Sequence, residues 1–158
     1  FARMDPDSEP AVLALEPFLK GCEPYFKKLV GPGIRVLVEA DPTCGPVRMD
    51  PSRLEQVLMN LIVNASDAMP QGGEILISAQ AQGRWAQIDV EDDGTGIPIA
   101  VLPHIFEPFY TTKGAASGTG LGLSTVYGLV EQAGGKVRAE NLPGQGAKFQ
   151  VSLPIVAG

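Results

Sequence analysis

The sequence predicts one α+β domain, built from three amphipathic helices and several short strands. In three segments apolar residues recur every three to four positions, which is the spacing of one helix face. In other segments apolar and polar residues alternate, as they do in half-buried strands. The length of 158 residues is usual for a single domain and allows a substantial core.

The predicted elements have a definite order along the chain. Residues 1–10 are charged and proline-rich and are interpreted as a linker from an upstream domain, which leaves 11–158 as the folded domain. Helices are expected at 16–30 with a kink at Pro24, at 53–69, and at 123–133. Strands are expected at 34–39, 47–49, 75–81, 85–90, 136–140 and 148–153.

The second helix has two candidate starts. Asp50 stands before Pro51, a residue favoured in the first turn, and Ser52 with Glu55 forms a capping box. Both starts give the helix the same faces, so the sequence leaves them open.

Two connections are also predicted. The strands at 75–81 and 85–90 are separated by a short segment containing Gly83, which favours an antiparallel hairpin. Prolines and glycines interrupt the apolar period from Ile97 to Ser117, so we expect a long, partly mobile loop there. Loops of this kind are usually functional.

Composition excludes several classes of protein. The chain carries 12 Lys and Arg against 18 Asp and Glu, a net charge of −6, without a basic run, which argues against nucleic acid as a partner. Its cysteines, Cys22 and Cys44, lack the spacing of a disulfide framework or a zinc site. No apolar run approaches the roughly 20 residues of a membrane span, so we expect no membrane insertion of this fragment and a cytoplasmic location, while an anchor elsewhere in a longer protein stays open.

One face of the second helix is unusual. Asn60, Asn64 and Asp67 lie opposite its apolar arc, where a solvated face normally carries Lys and Glu. Amide and carboxylate oxygens are hard ligands suited to Mg²⁺, and Asn64 is the first candidate. The alternative is an ordinary solvated stripe.

A second candidate site is the segment Asp92-Asp93-Gly94-Thr95-Gly96. Its glycines allow a planar base to approach the backbone, while Asp92 or Asp93 accepts a hydrogen bond from the exocyclic amine of adenine. The alternative is a simple tight turn, which Asp-Gly favours.

A third candidate is the glycine cluster Gly118-Thr119-Gly120-Leu121-Gly122-Leu123, which leads directly into a helical pattern. Exposed N–H groups at a helix start favour anions such as phosphates, although a flexible hinge is the alternative. The Walker pattern is absent, and Leu123 occupies the place of the third glycine of the Rossmann pattern. Lys113 is the best cationic side chain for a β- or γ-phosphate, or else a solvated loop lysine.

In this order, the segments Asn60–Met69, Asp92–Pro98, Ile105–Lys113 and Gly118–Leu123 resemble the N, G1, F and G2 boxes of the catalytic ATP-binding domain of sensor histidine kinases. The resemblance spans residues 10–154 and includes Gly144-Gln145-Gly146 before the final strand. The boxes are shared with gyrase, the Hsp90 chaperones and MutL. Their residues are most similar to those of nitrogen-regulation and cell-cycle hybrid kinases.

The resemblance implies the Bergerat fold, a two-layer α/β sandwich. Its sheet is mixed and mostly antiparallel, about three helices cover one face, and a mobile ATP lid spans roughly residues 107–122. It also implies ATP and Mg²⁺ as cofactors, with Asp92 on the adenine amine and Asn60 and Asn64 around the metal and phosphates. Phe106 and Phe109 are expected to anchor the lid.

The site residues that follow from the motifs and the resemblance can be given by role. Asn60, Asn64 and Lys113 are the candidate catalytic residues, and Asn60 and Asn64 the candidate metal ligands. The residues expected to bind the nucleotide are Asn64, Asp67, Asp92, Gly94, Gly96, Ile97, Phe106, Phe109, Thr112, Lys113, Gly118, Thr119, Gly120, Leu121, Gly122 and Leu123.

The resemblance further implies transfer of the γ-phosphoryl group of Mg-ATP to a histidine. Hydrolysing relatives carry a Glu base where this chain has Asn60, which cannot take a proton from water, so phosphotransfer is favoured over hydrolysis. The sole histidine, His104, lies in the approach to the lid and is expected to be structural or lid-positioning. The acceptor is therefore expected on an upstream helical hairpin.

The expected partners are that upstream dimerisation and phosphotransfer hairpin and a downstream response-regulator receiver domain. The isolated domain is expected to be monomeric and the full protein a homodimer. Two departures qualify the assignment: Ala147 and Lys148 follow the late glycine motif where a Thr is common, and Asp67 replaces a Lys. They leave open a non-catalytic nucleotide-sensing module, while an ATP-hydrolysing clamp lacks its base.

Overall fold

The computed structural model describes residues 9–108 and 122–156. Its helices are α1 (Leu15–Lys27), α2 (Pro51–Asp67) and α3 (Gly122–Gln132), with a short 3₁₀ turn at Leu102–His104. Its strands are β1 (Ala11–Leu13), β2 (Ile34–Ala40), β3 (Val47–Met49), β4 (Gly73–Gln82), β5 (Trp85–Asp92), β6 (Lys136–Asn141) and β7 (Ala147–Pro154).

The main sheet has five strands in the order β2-β4-β5-β7-β6. Only the β2–β4 pair is parallel, so the sheet is mixed and mostly antiparallel, as expected. β1 and β3 form a separate antiparallel pair. The three helices pack on one face of the main sheet, which confirms the predicted two-layer fold.

Alternation along the strands places the core between the sheet and the helices. On β4, for example, Ile75 and Ile77 are fully buried, while Leu76 between them is half-buried on the opposite face. β5 and β7 follow the same period, although Asp89 and Ser152 on their opposite face are also buried. The inward side of α2 contributes Leu54, Leu58 and Leu61. The polar face of α2 is therefore left along the rim of the core.

The element predictions are largely confirmed, and the differences have local reasons. The hairpin of β4 and β5 forms as expected, and each strand is longer than predicted. α1 continues through Pro24 and ends at Lys27, three residues before the predicted end. β1 was not predicted, because three residues give too short a pattern and its partner β3 is distant in sequence.

The structure decides between the two starts of α2. Asp50 is the N-cap, and its Oδ1 accepts a hydrogen bond from the Ser52 N–H at 2.9 Å. Its Oδ2 lies 3.5 Å from Nε of Arg53. The capping box with Glu55 is therefore not the start.

We expect Asp50→Ala to lower the free energy of unfolding by about 1–2 kcal/mol, because the cap is lost and the helix N–H groups beneath it lose a buried acceptor. Urea unfolding measures the change. Glu55→Ala is the matched control and should change stability by less than about 0.5 kcal/mol. A larger loss for Glu55→Ala than for Asp50→Ala would contradict the assignment.

Candidate functional site

Asp92, the last residue of β5, is the centre of the candidate site. Its side chain is 3% exposed, and its Oδ1 accepts hydrogen bonds from the backbone N–H groups of Gly94 at 2.8 Å and Ala147 at 3.3 Å. Within residues 9–108 and 122–156 no group donates to its Oδ2. Burial raises the pKa of Asp92 above its ordinary value, although the two N–H donors oppose that shift. The Asp92 carboxylate is therefore held in place through Oδ1, and Oδ2 is available to accept a hydrogen bond from a ligand.

Asp93 has a different task. Its Oδ2 accepts the backbone N–H of Glu74 at 3.0 Å, which ties the end of β5 to the beginning of β4. The sequence left both carboxylates open as the acceptor for a base, and the geometry distinguishes them. Asp92 occupies the site, and Asp93 holds the adjacent backbone.

The segment after β5, residues 92–97, is here termed the acidic turn, and it packs against the end of α2. Gly94 lies so close that a Cβ there would be 2.6 Å from the carbonyl oxygen of Ala68. Gly96 has a φ of +80°, and a Cβ would be 2.9 Å from Oδ1 of Asn141. Both glycines are therefore needed for the close approach of neighbouring elements.

A second segment, residues 141–147, holds the acidic turn and is here termed the clamp loop. Asn141 accepts from the N–H of Ile97 at 2.6 Å and donates from Nδ2 to the carbonyl of Ile97 at 2.8 Å. Gln145 Nε2 donates to the carbonyl of Asp93 at 2.6 Å. With the Ala147 bond to Asp92, the clamp loop fixes the acidic turn at three points.

We expect Asn141→Ala to weaken nucleotide binding about tenfold, because the turn that positions Asp92 loses two hydrogen bonds. Calorimetric titration with ATP measures the effect. Gln150→Ala is the matched control, since Gln150 is also an amide that bonds across strands, to Asp89, but on the other face of the sheet. Equal losses for the two variants would mean that Asn141 acts only through general stability.

The C-terminal end of α2 lies beside the acidic turn, where Ala68 approaches Gly94. Asn60 and Asn64 are one turn apart and half-buried, and Asp67 is exposed. Asn60 Nδ2 donates to the carbonyl of Gly122, the first residue of α3, at 3.1 Å. The α2 helix thus contacts the beginning of α3 through Asn60 and the acidic turn through Ala68 at its end.

The segment that leads towards the predicted lid is packed rather than loose. The Phe106 ring lies 5.9 Å from the ring of Tyr127 on α3 and 6.1 Å, edge-on, from Phe149 on β7. Nδ1 of His104 lies 2.7 Å from Oε2 of Glu107. Phe106 therefore fixes this segment to α3 and the sheet.

Other predicted residues are only partly placed. Gly122 and Leu123 form the first turn of α3, and Ile97 is half-buried beside the core. The following predicted site residues lie outside the described residues: Phe109, Thr112, Lys113, Gly118, Thr119, Gly120 and Leu121. Their assigned roles stay predictions.

Asn141 and Gln145 were not among the predicted site residues. Gln145 was visible inside the late glycine motif, but nothing in the sequence shows that its amide reaches Asp93. Position 147 is Ala where a Thr is common, but the contact with Asp92 does not need a hydroxyl group. The donor in that contact is the backbone N–H of Ala147. Lys148 lies 3.7 Å from Glu140 of β6.

A family profile described as "Histidine kinase-, DNA gyrase B-, and HSP90-like ATPase" matches residues 49–157, which include the acidic turn, the clamp loop and the polar face of α2. The chain belongs to this ATPase family. The sensor kinase CckA of Brucella abortus (strain 2308) is 39% identical over 160 residues, covering 92% of this chain and 17% of that protein. The chain therefore spans about a sixth of the length of this curated relative.

Solved structures place the chain in the histidine-kinase branch of the family. The catalytic domain of histidine kinase ThkA superposes with a TM-score of 0.78 at 30% identity, covering 94% of this chain and 99% of that domain. ThkA in complex with the response regulator protein TrrA matches with a TM-score of 0.74 at 28% identity, over 94% and 42% of the two chains. Full-length ShkA in complex with AMPPNP matches with a TM-score of 0.83 at 27% identity, covering 96% of this chain and 32% of that chain. The chain is thus a histidine-kinase catalytic domain.

Within the described part of the chain, no helix is both long and apolar enough to cross a membrane. No three His, Cys, Asp or Glu side chains within residues 9–108 and 122–156 gather as a metal centre.

Proposed function

We propose that the domain binds Mg-ATP and presents its γ-phosphoryl group to a histidine on a separate helical hairpin of the whole protein. The observation that carries this proposal is Asp92, whose Oδ1 is held by two backbone donors while its Oδ2 faces no donor among the described residues. An acceptor oxygen on a carboxylate fixed in this way matches the exocyclic amine of adenine. The structure of ShkA with AMPPNP supports the same class of ligand.

Two amides fit the proposed magnesium ion. Asn60 and Asn64 are half-buried and one helical turn apart, and their amide oxygens are the proposed ligands, since hard oxygen ligands with remaining water suit Mg²⁺. The ion, when bound, would neutralise charge on the phosphates. Asn60 donates from Nδ2 to the carbonyl of Gly122, which links α2 to the beginning of α3, where we propose that the phosphates bind. This hydrogen bond does not involve the amide oxygen, the atom proposed to contact the metal.

The remaining nucleotide contacts are proposed from the motifs. Residues Gly118–Leu123 offer backbone N–H groups to the phosphates at the beginning of α3, and Thr112 and Lys113 contribute from the lid. Phe106, anchored on Tyr127 and Phe149, and Phe109 tether that lid. Closure over the nucleotide would exclude water and strengthen the interactions that stabilise the transferred group.

Two side chains favour transfer over hydrolysis. Asn60 is an amide and cannot accept a proton from an attacking water. His104 is engaged with Glu107 beside the 3₁₀ turn and is not proposed as the phosphoacceptor. The acceptor is therefore proposed to lie on an upstream dimerisation hairpin, in a homodimeric cytoplasmic assembly.

The response-regulator partner is proposed from ThkA, which has been solved with TrrA. A receiver domain, joined downstream or supplied as a separate protein, would take the phosphoryl group from the histidine. The kinase relatives disfavour the alternative, a nucleotide-sensing module without transfer.

The proposal is tested in two steps. The 158-residue chain should bind ATP in a magnesium-dependent way by calorimetry, with the dependence lost in an Asn60→Ala, Asn64→Ala double variant. The whole protein should then incorporate label from [γ-³²P]ATP into acid-labile phosphohistidine. Binding without labelling in the whole protein would select the sensing module, and absence of binding would reject both.

A further inference from the structure

A cavity lies away from the proposed nucleotide site. Its volume is about 500 Å³, and it is bounded by β3, the beginning of α2, the end of α3 and the end of β7, with Pro10 at its rim. None of the residues that line it belongs to the acidic turn, the clamp loop or the amide face of α2. Its size falls in the range of about 300–1,000 Å³ that is typical of small-molecule sites.

The charge in this cavity is unusual for the chain. Arg48 and Arg53 both line it, together with a single carboxylate, Asp50. Asp50 is already engaged, since Oδ1 caps α2 and Oδ2 lies near Arg53. Arg48 pairs with Val12 through the β1–β3 register, but among residues 9–108 and 122–156 no group pairs with its guanidinium. The cavity therefore has surplus positive charge in a protein whose net charge is −6.

The rest of the lining is mostly apolar, and Gln132 is its one further polar side chain. Met49 is 3% exposed, Leu129 lies on α3, and Ala133 follows the end of that helix. A ligand that matches these walls needs an apolar body, which is stabilised by removal from water, and a negatively charged head near the guanidinium groups. A neutral or cationic head would leave the surplus charge uncompensated.

We propose that this cavity is a binding site for a small anionic amphiphile, an apolar molecule that carries a carboxylate or a similar anion. The two components of the lining act separately in this proposal. The apolar wall supplies affinity for the body of the ligand, and Arg48 with Arg53 supplies the preference for the anion.

The test uses decanoate and decanol, which share a chain and differ in the head group. Binding to the 158-residue chain is followed through methyl NMR signals of Met49 and Leu129. We expect saturable shifts at these residues and about tenfold tighter binding of decanoate than of decanol. In Arg48→Gln and in an Arg48→Gln, Arg53→Gln double variant, this preference should shrink while decanol binding is retained.

Arg35→Gln is the matched control, because Arg35 is an exposed arginine that pairs with Glu74 on the other side of the molecule. It should retain the full preference for decanoate. Equal affinity for the two ligands in the unchanged chain, shifts located away from Met49 and Leu129, or a preference that survives the double variant would each overturn the proposal.

Discussion

Asp92→Asn will weaken ATP binding by about 100-fold and reverse the preference between adenine and a 6-oxo purine. In the variant, the amide oxygen can still accept from Gly94 and Ala147, as Oδ1 does now. The amide NH₂ then occupies the place of Oδ2 and faces the amine of adenine, donor against donor. Inosine triphosphate has an oxygen at that position and gains a partner.

The measurement is a pair of calorimetric titrations, ATP and inosine triphosphate, on both proteins. Asp93→Asn is the matched control, since it changes the neighbouring carboxylate, which serves only the Glu74 backbone in the described part of the chain. It should shift either affinity less than about threefold. Parallel losses for both nucleotides in Asp92→Asn would show that Asp92 supports the fold and does not read the base.

The same variant should not destabilise the nucleotide-free chain. Burial raises the folded-state pKa of Asp92, so the folded protein binds more protons than the unfolded chain between the ordinary pKa and the raised one. The free energy of unfolding therefore falls as pH rises through that window, and above it the ionised group carries its full cost. Neutral asparagine removes this cost, so Tm at pH 7 should be unchanged or higher while ATP binding is lost.

Acidification should weaken ATP binding, although it raises the stability of the folded chain in the same pH window. Protonation of Asp92 removes the charged acceptor, so affinity for ATP should begin to fall at a higher pH than an exposed aspartate would give. Titrations across the acid range measure this, and Asp92→Asn should lack that component of the pH profile. An identical profile in both proteins would assign the titration to another group.

The predictable parts of the fold are those encoded locally. The hairpin of β4 and β5, the apolar face of α2 and the end of α3 before Gly134 each follow from a short sequence pattern. The parallel pairing of β2 with β4 and the β1–β3 pair depend on contacts between distant segments, and no local pattern specifies their partners.

The candidate site shows the same division. Its residue types were visible, because amides are uncommon on a solvated helix face and because the four motifs occur in a recognisable order. The choice between Asp92 and Asp93 depends on which side of β5 each side chain occupies and on which backbone donors reach it. The clamp by Asn141 acts across 44 residues and became visible only in the fold.

Gly146→Ala will have the second large effect, lowering the free energy of unfolding by about 2–4 kcal/mol and weakening ATP binding with it. Gly146 has a φ of +98°, which L side chains rarely adopt, and a Cβ there would collide with the backbone carbonyl of Asp92. The acidic turn cannot give way easily, because Asn141 and Gln145 hold it in place.

Gly144→Ala separates the cost of the left-handed backbone from the cost of the collision with Asp92. Gly144 lies in the same loop with a φ of +89°, but nothing lies within 4 Å of its added Cβ. It should cost only about 1 kcal/mol, the penalty for the left-handed backbone, and leave ATP affinity unchanged. Urea unfolding and calorimetry are carried out on both variants. The difference between them in free energy of unfolding and in ATP affinity measures the effect of the collision with Asp92. Equal effects would mean that the clamp loop moves independently of the acidic turn, whereas a difference confined to Gly146→Ala would show that the two segments act as one unit in positioning the carboxylate.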